Sequence, residues 1–81
     1  MVKPRVTIYS RAGCHLCEEV EEKVRRAQDE VEFDCEVVDI DADPELKARY
    51  RWEIPVVAID GQDLFGHAMD YDSFVKRVRG R

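Results

Sequence analysis

Two cysteines three positions apart, Cys14 and Cys17, sit where the hydrophobic period of the chain changes from two to between three and four. Before them, Arg5-Val6-Thr7-Ile8-Tyr9 alternates polar and apolar side chains and is rich in β-branched residues, so it is expected to form a strand. Ser10-Arg11-Ala12-Gly13 reads as a turn. Beyond it Leu16, Val20, Val24, Ala27 and Val31 recur at spacings of three and four, which predicts a helix with one apolar stripe beginning at or next to Cys14. Its charges follow the helix dipole: Glu18, Glu19, Glu21 and Glu22 come early, then Lys23, Arg25 and Arg26. A chain built this way must place the cysteine pair at a helix N-terminus, at the end of a strand.

The remaining pattern supplies the elements that would surround that pair. Phe33 to Ile40 is expected to be a second strand, with Phe33, Cys35 and Val37 on one face and Val38 and Ile40 on the other. Asp43-Pro44 is an N-cap followed by a first-turn proline and opens a short helix ending near Tyr50. Ile54-Pro55-Val56-Val57-Ala58-Ile59 reads as a buried strand that begins through a proline. Asp60-Gly61 suits a type I′ hairpin returning through Leu64 and Phe65. After Gly66, Asp70 or Asp72 caps a last helix carrying Phe74, Val75 and Val78. The expected order is β-α-β-α-β-β-α, an α/β fold in one domain spanning residues 1–81.

Size and charge narrow the function classes. A chain of 81 residues buries only roughly 60% of its unfolded surface, which leaves room for one small core and one site. The net charge of −5 argues against binding a phosphate backbone, so no nucleic-acid partner is expected. No apolar run approaches the roughly 20 residues of a membrane span, and residues 1–20 lack a leader's apolar region. A cytoplasmic monomer with no membrane partner is the expectation.

In a reducing compartment a Cys-x-x-Cys pair signals redox chemistry or a metal rather than a structural staple. At a helix N-terminus the free N–H groups and the dipole stabilise a thiolate. Residues at i and i+3 lie on one face, within reach of a disulfide. Cys14 is therefore the expected nucleophile and Cys17 the resolving thiol. Arg11 adds a positive charge three residues before Cys14. His15, between the cysteines, either tunes the thiolate or is an exposed turn residue. A structural zinc site needs four ligands, and the remaining Cys35, His15 and His67 have no zinc-type spacing, so no metal is expected. Cys35 alternates with Phe33 and Val37 and reads as a small buried hydrophobe.

The segment Tyr9-Ser10-Arg11-Ala12-Gly13-Cys14-His15-Leu16-Cys17 resembles the active-site segment of glutaredoxins and glutaredoxin-like proteins. Val37-Val38-Asp39-Ile40-Asp41-Ala42-Asp43-Pro44 and Ile54-Pro55-Val56 are similar to that family at its own spacing, so the resemblance covers nearly the whole chain. It implies a thioredoxin fold with a four-stranded mixed sheet flanked by helices. It also implies a cis Ile54–Pro55 peptide beside Cys14, with the Ile54 backbone receiving substrate as an added strand. The implied activity is thiol–disulfide exchange on a disulfide-containing protein or a glutathionylated substrate, with a redox reductase as electron donor and no bound cofactor. The pattern resembles above all the small glutaredoxin-like proteins of bacteria, and the redoxins serving ribonucleotide reductase are also similar. Two segments depart from typical glutaredoxins. Glu53-Ile54-Pro55 stands where they carry Thr-Val-Pro, and Gly66-His67-Ala68-Met69-Asp70 stands where they carry Gly-Gly-x-x-Asp. In the family Gly66 and Asp70 would help hold glutathione, so glutathione is expected to be a weak co-substrate.

Two other readings stand beside this one. A soft-metal module of the copper-chaperone kind also places Cys-x-x-Cys between a first strand and a first helix, in a β-α-β-β-α-β order. A non-catalytic adaptor of the same fold would use Trp52, Tyr50 and Phe65 as a partner surface.

Overall fold

The first two strands pair in parallel, and parallel pairing requires the chain between them to cross over, here as a helix. A computed structural model describes residues 3–80. Strand β1 (Arg5–Ser10) leads into α1 (His15–Ala27), and β2 (Asp34–Asp39) returns alongside β1. A 3-10 turn over Ile40–Ala42 joins β2 to α2 (Pro44–Tyr50), which precedes β3 (Val56–Ile59), β4 (Gln62–Gly66) and α3 (Tyr71–Arg79). β3 lies antiparallel to β1, and β4 antiparallel to β3, so the sheet order is β2-β1-β3-β4. This is the expected mixed four-stranded sheet in the expected β-α-β-α-β-β-α order.

Local chemistry explains most boundaries. Asp43 accepts a hydrogen bond from the Glu45 N–H and Pro44 occupies the first turn, so α2 starts where capping predicts. Asp60 and Gly61 take φ values of 51° and 83°, the left-handed pair that a type I′ turn demands. Of the two candidate caps for the last helix, Asp70 takes the role, accepting from the Ser73 N–H at 2.9 Å.

Strand alternation sends side chains to two unequal faces. On one, Val6 and Ile8 of β1 and Val57 and Ile59 of β3 pack beneath α1 and α3. Val20, Val24 and Ala27 come from α1, and Phe74, Val75 and Val78 from α3, with Phe33 meeting Phe74 edge-on at 5.6 Å between ring centres. On the other face Ile40, Tyr50 and Val56 form a smaller cluster, joined by Tyr9, Leu46 and Ile54.

Four expectations about side-chain placement need correcting. The buried stripe of α1 runs through Cys17, Val20, Val24 and Ala27, while Leu16 is 51% exposed. Leu16 occupies the second residue of the helix, one position away from the stripe. Val31 lies beyond the end of α1, though it still packs against the larger cluster. Val37 is 47% exposed, because β2 is an outer strand and the helices cover only its Cys35 end on that face. Cys35 is half-buried against the core rather than enclosed by it. Among the described residues no helix is long and apolar enough to cross a membrane.

Candidate active site

Strand register collects the singled-out residues at one end of the sheet. Ser10 lies opposite Asp39, Tyr9 opposite Val56, and Val56 opposite Gly66. The loop before α1, the turn after β2, the Ile54–Pro55 segment and the chain after β4 therefore meet at the C-terminal edge of β1.

The cysteine pair is built by the helix start. Gly13 turns the chain at φ 78°, a conformation that suits glycine, and Cys14 follows in extended conformation as the N-cap of α1. Its Sγ accepts a hydrogen bond from the Cys17 N–H at 3.2 Å, occupying one of the donors a helix N-terminus leaves free. Cys14 and Cys17 form a disulfide, with Cα atoms 5.2 Å apart. The two are unequal in access: Cys14 is partly exposed, whereas Cys17 is 1% exposed as the first member of the buried α1 stripe.

His15 points outward; its side chain is 96% exposed, and Nδ1 lies 3.7 Å from a Glu18 carboxylate oxygen. Arg11 does not face the sulfur unpartnered. Its Nε and Nη2 donate to the two carboxylate oxygens of Asp41 at 3.1 and 2.7 Å. That contact raises the Arg11 pKa and lowers that of Asp41, the shared hydrogen bond being the largest cause for both.

The Ile54–Pro55 peptide is cis, as the family resemblance implied. Pro55 is buried and Ile54 is half-buried in the smaller cluster. The Ile54 N–H donates to the Tyr50 carbonyl at 3.1 Å. Gly66 ends β4, and the next N–H, that of His67, is shared between the Glu53 and Pro55 carbonyls at 3.0 Å each. His67 holds φ at 65°, in the region where glycine is at ease and a side chain is strained. The Asp70 carboxylate is engaged in capping α3, and its pKa is lowered chiefly by the backbone hydrogen bond from Ser73.

A cavity of about 220 Å³ opens beside this segment, lined by Tyr50, Glu53, Val56, Asp63, Gly66 and His67, with the cysteines outside it. Its floor is a polar knot. The Tyr50 hydroxyl donates to Asp63 at 3.0 Å, Arg49 reaches Asp63 at 3.5 Å, and Tyr9 stacks on Tyr50 at 4.3 Å between ring centres. Burial first, and then the Asp63 contact, push the Tyr50 pKa up to about 12. Asp41, Tyr50 and Asp63 escape a sequence reading of the site. The signal for Asp41 was present in the Asp39-Ile40-Asp41 alternation, but its partner lies thirty positions away. Of the aromatics considered as a partner surface, only Trp52 is open, at 76% exposed; Tyr50 is buried and Phe65 packs on the core.

Cys35 lies opposite Val6, near the far end of β1 from the disulfide, and so cannot join it in a ligand set. Among the described residues no three His, Cys, Asp or Glu side chains gather as a metal site would need.

Comparison with known proteins agrees with this geometry. The family described as "Glutaredoxin-like domain (DUF836)" matches residues 5–79. The chain belongs to this glutaredoxin-like family. An uncharacterized protein of Mycobacterium tuberculosis is 34% identical over 68 residues, covering 78% of this chain and 70% of the relative. The solution structure of protein Ne2328 from Nitrosomonas europaea superposes with a TM-score of 0.83 at 29% identity, covering 96% of this chain and 94% of that one. The Escherichia coli glutaredoxin-like protein NrdH-redoxin gives 0.59 at 28% identity, covering 91% and 93%. A Halobacterium salinarum thioredoxin, at 15% identity and a TM-score of 0.73, covers 98% and 74% and shares the fold. A glutaredoxin-like chain with its Cys14–Cys17 pair at bonding distance has the parts of a redox protein.

Proposed function

We propose that this glutaredoxin-like protein is a thiol–disulfide oxidoreductase that reduces disulfides through Cys14 and Cys17. The observation that carries the reading is the unequal access of two bonded cysteines at one helix start: Cys14 partly exposed and capping α1, Cys17 enclosed in the core stripe. In the dithiol form Cys14 is the thiolate, held by the Cys17 N–H and the α1 dipole. It attacks one sulfur of a substrate disulfide, forming a mixed disulfide and expelling the other sulfur as a thiolate. Cys17 then loses its proton, attacks Cys14 Sγ and expels the second substrate thiolate. The substrate gains two electrons and two protons, and the protein is left as the disulfide. An external dithiol, presented by a flavoprotein reductase or another redoxin, restores it by the reverse exchange. The Ile54 carbonyl and the open Trp52 beside it would receive an extended segment of a protein substrate.

Glutathione is the weaker reductant on this reading. The strained His67 stands where close backbone approach favours glycine, and Asp70 and Arg11 already have partners. Glu53 places a like charge beside a ligand of net negative charge, which costs about fivefold in affinity at a partly exposed site. NrdH-redoxin, 28% identical, is itself described as a glutaredoxin-like protein with a thioredoxin-like activity profile. The same reading has the protein working as a monomer in the reducing cytoplasm. The observed element order is not the β-α-β-β-α-β order expected of a copper-type module.

The test runs one disulfide substrate with two recycling systems, glutathione with its reductase and a thioredoxin reductase. Turnover should be faster with the second. Cys14→Ser should abolish it while leaving the circular dichroism unchanged, and Cys17→Ser should accumulate a mixed disulfide on Cys14. Iodoacetamide should label Cys14 first in the reduced protein. Turnover that survives Cys14→Ser, or first labelling of Cys17 or Cys35, would sink the assignment.

A further inference from the structure

Arg11 is separated from Cys14 only by Ala12 and Gly13, yet its guanidinium is committed elsewhere. Two parallel hydrogen bonds, at 3.1 and 2.7 Å, bind it to Asp41 in the fork geometry that fixes orientation as well as charge. Asp41 is itself held in place. It lies in the 3-10 turn after β2, and its N–H donates to the Asp39 carboxylate at 2.9 Å. Asp39 faces Ser10 across the β1–β2 pair, so both arms of the bridge leave from neighbouring strand ends. Lys47 is a second, weaker cation for Asp41, at 4.0 Å.

We propose that Asp41 is a positioning residue for the redox pair: it draws the Arg11 guanidinium to the end of β2, ties the loop before Cys14 to the sheet, and withholds that cation from the Cys14 thiolate. The proposal rests on the thiol–disulfide reading above and assigns the pair's redox tuning to a residue outside it. A cation free to face Cys14 would stabilise the thiolate, and with it the reduced form, making the disulfide a stronger oxidant. With Asp41 in place the thiolate has only the helix start, and the dithiol remains the better reductant. The lowered Asp41 pKa agrees with a carboxylate that stays charged, and so stays a partner, across the working range.

The experiment measures the Cys14 pKa by thiolate absorbance in a Cys35→Ser background, so that one accessible thiol titrates. It also measures the equilibrium in which the dithiol protein reduces glutathione disulfide to two glutathiones and becomes the disulfide. The other ionisable groups gathered at this end of the sheet are common to every variant: His15 and Glu18 on α1, Asp39 and Lys47 around the turn, Glu53 before β3 and His67 after β4. Asp41→Asn should lower the Cys14 pKa by about half a unit or more. It should also shift the equilibrium about threefold toward the dithiol, about 14 mV. Asp41→Glu should keep the wild-type values, and adding Arg11→Gln to Asp41→Asn should abolish the drop. An unchanged or raised pKa in Asp41→Asn overturns the proposal, as does a drop that persists without Arg11. If Asp41→Asn does not fold, Asp41→Ser carries the test: it too removes the carboxylate that holds Arg11, so the pKa must fall, and an unchanged value refutes. Failure of the parent reading is a separate outcome, namely wild-type protein that reduces no disulfide substrate, and it leaves the pKa comparison standing.

Discussion

The two faces of the sheet do different work with different chemistry. The face under α1 and α3 is dry and apolar, with Val6, Ile8, Val24, Val57, Ile59 and Phe74 at 1% exposure or less. It anchors α1 and therefore fixes where Cys14 and Cys17 stand. The face under α2 is smaller and is finished by polar contacts: Tyr50 on Asp63, Arg49 on Asp63 and, at its rim, Arg11 on Asp41. Apolar packing is stiff and carries no charge, whereas each of these contacts involves a charged group. The difference teaches that apolar packing and charged contacts are kept to separate faces of a very small protein, with the cysteine pair seated by the apolar one.

The comparison would break first at its largest expected effect. Phe74→Ala should destabilise by about 4 kcal/mol in urea titrations, since a fully enclosed ring leaves a cavity among two helices and the sheet. Ile40→Ala on the other face should cost about 2 kcal/mol, because a small cluster near the surface can close around the gap. Equal losses would mean that the two faces form one core.

Tyr50→Phe sharpens the comparison at a smaller scale, with an expected loss of about 1 kcal/mol near neutral pH as the hydroxyl's bond to Asp63 goes. The sign of the pH effect follows from the shift. The folded-state pKa of about 12 lies above the unfolded value of 10, so this stabilisation is complete below pH 10 and is lost as pH rises toward 12. Urea titrations across that window should fall more steeply for wild type than for Tyr50→Phe. Parallel curves would remove Tyr50 from the account.

The smallest effect belongs to the strained corner of the site. His67→Gly should gain about 0.5 kcal/mol, relief of the left-handed conformation being partly offset by a more flexible unfolded chain. Combined with Glu53→Thr it should also raise turnover with glutathione and its reductase. A loss of stability would show that the His67 side chain, rather than its backbone, holds the end of β4.

Several parts of the molecule were legible because their causes are local. The Asp43-Pro44 start, the Asp60-Gly61 turn and the Cys14 helix start depend on residues within a few positions of one another, and each stands where short-range chemistry puts it. Leu16 and Val37 were misplaced for the opposite reason. Both are apolar and in phase with a pattern, but exposure depends on how far a neighbouring element extends over them. Register along α1 begins at Cys17, and cover over β2 stops short of Val37, neither of which a period can state.

The sequence by itself determined the order of elements, the seat of Cys14 and Cys17 at a helix start, and the apolar stripes that build the larger core. These follow from periodicity, capping and turn chemistry, all of them interactions between near neighbours in the chain. Only the tertiary structure decided that Arg11 belongs to Asp41, and that Tyr50 and Asp63 underlie the cavity beside Ile54–Pro55. Those outcomes depend on strand order and on which distant side chains meet at the end of β1, and charge pairing is settled by distance in space rather than in sequence.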